Sequence, residues 1–118
     1  MNEQTQLELS IEQAKANIEL GRSIERLYKN KDFKKVVLEG YFKDEAIRLV
    51  MSKSNPQLLR DSPVMKAADI QADLDRMIFA IGSLQQYLFT CSMIAQQSEK
   101  AIQDDEQALE ELRNESQD

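Results

Sequence analysis

Through most of its second half the chain keeps a single pattern, and that pattern limits its folds more than any other feature. Alternate steps of three and four from Ala67 land on Ile70, Leu74, Met77, Ile81, Leu84, Leu88, Cys91, Ala95, Ser98, Ile102, Asp105, Leu109 and Leu112. Twelve of these fourteen positions are apolar, which is the mark of a coiled-coil seam. The spacing predicts a helix over residues 63–113, about 75 Å long at about 1.5 Å per residue. In its middle Ile78, Phe79, Tyr87, Phe89, Met93 and Ile94 widen the stripe beyond a seam, so this section is expected to touch more than one neighbour.

The first half supplies the helices that face this spine. Leu7, Ile11, Ala14 and Ile18 share one face, and the stripe then shifts to Leu20, Ile24, Leu27 and Tyr28; the pattern predicts a helix over 3–29. Gly21 stands at the shift, either for close helix packing or as a weak point costing about 1 kcal/mol relative to Ala. A second helix is expected over 32–53, capped by Asp32, with Phe33, Val36, Val37, Gly40, Tyr41, Ile47, Val50 and Met51 as its apolar face. One bent rod through both is disfavoured, because extending the first frame puts Glu25, Asp32, Lys35 and Glu39 in the core. Residues 54–62 form the connector. Pro56 disfavours helix at Asn55, and Pro63 suits the first turn of the long helix, with Asp61 or Ser62 as its cap and Leu58 and Leu59 folding back onto the bundle. The expected fold is all-α: one helical domain, a long antiparallel helical hairpin or three-helix bundle, with an acidic tail at 114–118. Ile70, Leu74, Met77, Ile81, Leu84 and Leu88 are its expected supports.

Composition removes most enzyme chemistry. The 118 residues contain no His and no Trp, a single Cys and a formal charge of −6. Without His the commonest acid–base group and metal ligand is missing. Cys91 has no base at hand to form a thiolate and reads as a small core residue. The start has no basic segment followed by an apolar one, and no apolar run approaches the roughly 20 residues of a membrane span. A cytoplasmic protein with no membrane contact, no catalytic residues, no cofactor and no metal is expected.

Charge is unevenly divided. Residues 1–60 carry eleven basic and nine acidic side chains; residues 61–118 carry four and twelve. Arg26, Lys29, Lys31, Lys34 and Lys35 crowd the first half, among Tyr28, Phe33, Tyr41 and Phe42. Cations beside rings can bind nucleic acid, but the ring spacing points inward and the acidic half repels phosphate. A solvated corner that contacts protein is the favoured reading. Asp69, Asp73 and Asp75, Asp44 with Glu45, and Asp104 with Asp105 lack the turns of a metal loop and read as solvated helix faces. Ile102, Leu109 and Leu112 continue the seam into the acidic end; left uncovered, they would make a dimer seam or docking helix.

The block "IERLYKNKDFKKVVLEGYFKDEAIRLV", then "AIGSLQQYLFT" and an acidic end closing on "ALEELR", resembles small acidic helical proteins of tailed bacteriophages. That resemblance is strongest over residues 15–50. It implies a product of the virion-structure and packaging region without an assigned enzyme activity. The expected function is therefore a non-enzymatic, homo-oligomeric interaction protein. It would serve virion assembly as a scaffold-like, minor structural or packaging accessory component, in the infected host's cytoplasm or in the virion. The alternatives are a DNA-binding packaging or regulatory protein using the basic cluster, and a small acidic host-directed inhibitor.

Overall fold

The computed structural model describes residues 2–57 and 67–117, and every regular element among them is helical. Helix α1 runs Glu3–Lys29 and ends where Asn30 turns extended (φ −73°, ψ 127°). The next segment is helical in three parts: α2 (Lys31–Phe33), a π-helix (Lys34–Glu45) and α3 (Ala46–Lys53). Helix α4 (Ala67–Gln117) is one continuous element. The cap at the break is Asn30, not Asp32: the Asn30 side-chain oxygen accepts from the Phe33 N–H at 2.9 Å. Asp32 lies in the first turn instead, where a carboxylate suits the positive end of the helix dipole. Asn55 accepts from the Gln57 N–H at 3.0 Å. The expected roles of Leu58, Leu59, Asp61, Ser62 and Pro63 fall outside the described residues.

Two compact units divide the chain. The terminal unit joins Met1–Arg26 to Leu88–Asp118, and the central unit is Leu27–Tyr87. In the terminal unit, α1 lies antiparallel to the second part of α4. Ser10 Oγ donates to Asp105 Oδ2 at 2.6 Å, and Asn17 Nδ2 donates to Ser98 Oγ at 3.3 Å. Ser98 and Asp105 are the two polar positions of the apolar seam, and each meets a polar side chain one heptad from the other. Between and around them Ile11, Ala14, Ile24, Leu88, Cys91, Ala95 and Leu109 are buried. Gly21 is there for contact: a Cβ on it would sit 2.4 Å from Ala95 Cβ.

The central unit has a small core of Leu49, Leu74 and Ile81, flanked by Tyr41, Phe42, Ala46, Ile70 and Ile78; Leu49 is 1% exposed. Lys53 closes one end, its Nζ 2.5 Å from Asp75 Oδ1 and its carbonyl accepting from Gln71 Nε2 at 3.4 Å. The expected face of the second helix is corrected here. Val36, Ile47, Val50 and Met51 point outward, with Val36 66% exposed, while Phe42, Ala46 and Leu49 turn inward. The reason is the period. Inward positions recur near Phe33, Val37, Phe42 and Ala46, at steps of four and five. An α-helix would carry such a stripe round its axis, whereas i→i+5 bonding keeps it on one side. The facing stretch of α4 departs from the heptad too: Ile70, Leu74, Ile78 and Ile81 turn in, while Met77 and Leu84 stay exposed. Ala67, at the seam's start, is exposed as well. A π-helical neighbour does not offer the 3.5-residue spacing that would hold Met77 and Leu84 in a seam.

Candidate functional site

The basic cluster consists of exposed side chains that the helix break sets on different elements. Arg26, in the terminal unit, reaches Glu19 Oε1 at 3.4 Å and Ser23 Oγ at 2.9 Å. Lys29, Lys31, Lys34 and Lys35 belong to the central unit, and among the described residues they have no ion pair. The rings beside them are not laid out for stacking bases. Tyr28 and Phe33 are half-buried against each other across the break, their centroids 6.0 Å apart. Tyr41 and Phe42 pack against the central core.

The tail residues are covered rather than offered. Leu109 is buried, Ile102 and Leu112 are half-buried, and the grooves beside Leu109 are bordered by Asn2, Glu3 and Gln4 on one side and by Ile11 and Lys15 on the other. Of the two alternatives left by the sequence, a covered or an open tail face, the grooves show helix α1 lying over this part of the seam.

The acidic groups are spoken for or scattered. Asp73 pairs with Arg76, Asp75 with Lys53, and Asp105 with Ser10. Glu45 faces Arg48 through two bonds, 2.5 and 3.0 Å, and this hydrogen bonding to Arg48 holds its carboxyl below the usual range. Among the described residues no three His, Cys, Asp or Glu side chains come together as a metal site. Cys91 is buried.

What the structure leaves open is the middle of α4. Between Arg76 and Glu99 there is no charged residue, in a chain where 31% of residues are charged. This band keeps large apolar side chains in solvent. In the central unit Phe79 is 77% exposed, and Met77 and Tyr87 are also exposed; in the terminal unit Phe89 is 59% exposed, with Met93 and Ile94 beside it. Among the described residues Gly82 has nothing within 4 Å of where a Cβ would stand. An 18-residue window of α4 reaches a mean hydropathy of 1.3, so by length and composition this helix is long and apolar enough to cross a membrane.

Widening of the apolar stripe is legible in the sequence as a need for a further neighbour, and the charge-free interval from Met77 to Ser98 is the sharper signal of it. No family model, curated protein or solved structure matches the chain.

Proposed function

We propose that this chain is a non-enzymatic protein–protein interaction module. Its setting, on the resemblance to phage proteins, is the assembly of a virion, as a homo-oligomer that makes helix-to-protein contacts. The observation that supports this reading is the charge-free band of α4, where Phe79, Phe89 and Met93 lie exposed on a helix whose other side is already packed. Exposed rings on a continuous helix gain by burial against a partner, at about 25 cal/mol per Å² of apolar surface.

A second reading follows from the hydropathy of the same helix: the band contacts lipid. Two features weigh against it. Ile81, Leu88 and Cys91 belong to the same segment and are buried inside the chain, so crossing a membrane would dismantle both cores. Ser83, Gln85, Gln86, Thr90 and Ser92 also interrupt the segment, and polar groups are costly in hydrocarbon.

The test is a photo-crosslinking residue placed at Phe89 in the full chain, expressed in bacterial cells, with the same residue at exposed Lys31 for comparison. Protein adducts of defined mass at position 89 and few at position 31 are expected. Lipid adducts at 89, or nucleic-acid adducts concentrated at 31, would replace this reading with the membrane or the DNA one.

A further inference from the structure

The two units differ in charge. The terminal unit carries five basic and thirteen acidic side chains, the central unit ten and eight. Each also keeps an apolar face in solvent. In the terminal unit Phe89 and Met93 stand about one turn apart on α4. In the central unit Ile47, Val50 and Met51 of α3 point outward, 54%, 50% and 66% exposed. Each face ends in two charged side chains of opposite sign. Lys43 and Asp44 precede Ile47 by about a turn, and Glu99 and Lys100 follow Met93 by about two. All four are exposed, and among the described residues none of them has an ion pair.

We propose that the outward face of α3 in one copy docks on the Phe89 and Met93 face of α4 in a second copy, the two helices running antiparallel. Met51 then lies over Phe89, and Ile47 over Met93. The charges precede the apolar residues in α3 and follow them in α4, so only the antiparallel setting brings the charged ends together. From Met51 to Lys43 is about 12 Å and from Phe89 to Glu99 about 15 Å, at about 1.5 Å per residue; a lysine stem covers the difference. Successive side chains lie about 100° apart round a helix. Lys43 therefore shares one flank of the contact with Glu99, and Asp44 shares the other with Lys100. Both flanks join opposite charges.

Like faces fit less well. Two terminal faces would bring the acidic unit of one copy against the acidic unit of the next, which is repulsive. Two α3 faces could cover each other, but Ile47 over Met51 sets Lys43 opposite Asn55 and Asp44 opposite Ser54, which carry no charge. The unlike pairing is head-to-tail, so it closes into a ring or continues from copy to copy. Apolar burial supplies its strength, and the charges choose which face meets which.

This inference rests on the protein-interaction reading, and its test separates the two. In a Cys91→Ala background, Met51→Cys chains are mixed with Phe89→Cys chains and oxidised. Both positions are exposed, and the docking sets them face to face, within the reach of about 7 Å between Cα atoms that a disulfide needs. The mixture should give about tenfold more cross-linked dimer than either variant alone. A second arm exchanges charges without altering the net charge. Lys43→Asp with Asp44→Lys, and separately Glu99→Lys with Lys100→Glu, should each weaken self-association about fivefold at low salt with helicity unchanged. Mixing these two variants should restore it.

Cross-linking of Phe89→Cys or Met51→Cys alone at the level of the mixture would show like-on-like pairing and overturn the proposal. So would charge exchanges that leave association unchanged, or a mixture of the two that does not recover. If the mixed disulfide is missing but a photo-crosslinker at position 89 still yields adducts to other proteins, the self-docking falls and the interaction reading stands. Lipid adducts at position 89 in place of protein ones would overturn both.

Discussion

At the scale of single residues, Gly21 and Gly82 look alike in the sequence and differ in the structure. Gly21 is held by contact with Ala95, at a separation no Cβ could tolerate. Gly21→Ala should therefore destabilise the chain by about 1–2 kcal/mol, the overpacking of a close helix contact outweighing the roughly 1 kcal/mol that Ala gains in a helix. Adding Ala95→Gly moves the missing Cβ to the other helix and should restore most of the loss. Denaturant unfolding of the two variants checks this; a Gly21→Ala chain more stable than wild type would contradict the contact. The sequence alone allowed either a contact or a weak point here, because which helix a glycine faces depends on register.

Polar residues within an apolar seam carry similar information. Asn17 and Ser98 pair across the terminal unit, so Asn17→Ala leaves a buried hydroxyl without its partner and should cost about 1 kcal/mol. The double variant Asn17→Leu with Ser98→Ala should recover that loss, since replacing both polar partners removes the unmet group. A thermal melt in which the double variant falls below the single would argue against the pair.

At the scale of elements, the periods explain what was legible. The 3.5-residue repeat from Leu88 to Leu112 was readable because every fully buried position of α4 in the terminal unit obeys it, and even its exceptions, Ser98 and Asp105, sit at seam positions. Helix α1 and its end near residue 29 were readable for the same reason, through the failure of the frame beyond Tyr28. The π-helix was not, because an apolar stripe with steps of four and five does not stay on one face of an α-helical wheel: Val36 falls inside on that wheel and points out, while Phe42 turns in.

Gly40 tests this element. A Cβ on it would lie 3.1 Å from the Lys35 carbonyl oxygen, a backbone atom with little room to shift. Gly40→Ala should therefore fail to deliver the gain of about 1 kcal/mol that the same change gives inside an ordinary α-helix. The full gain, measured by urea unfolding, would show that this stretch is α-helical in solution.

At the scale of the molecule, the charges and the uncharged surface are complementary features. The tail residues Ile102, Leu109 and Leu112, which the sequence left either covered or open, lie against α1, and the large apolar side chains that stay exposed are in the middle of α4. The basic cluster stays exposed on the first half but has no ring platform to go with it. What remains unburied is a helix face free of charge between Arg76 and Glu99. A face of that kind favours assembly through apolar burial.

The most direct test of this account is the solution mass by light scattering behind a sizing column, at low and at high salt. The account predicts a mass above the 13.6 kDa of a single chain at both, because apolar burial and not ion pairing holds the copies together. A single-chain mass at both salts and at high protein concentration would contradict it.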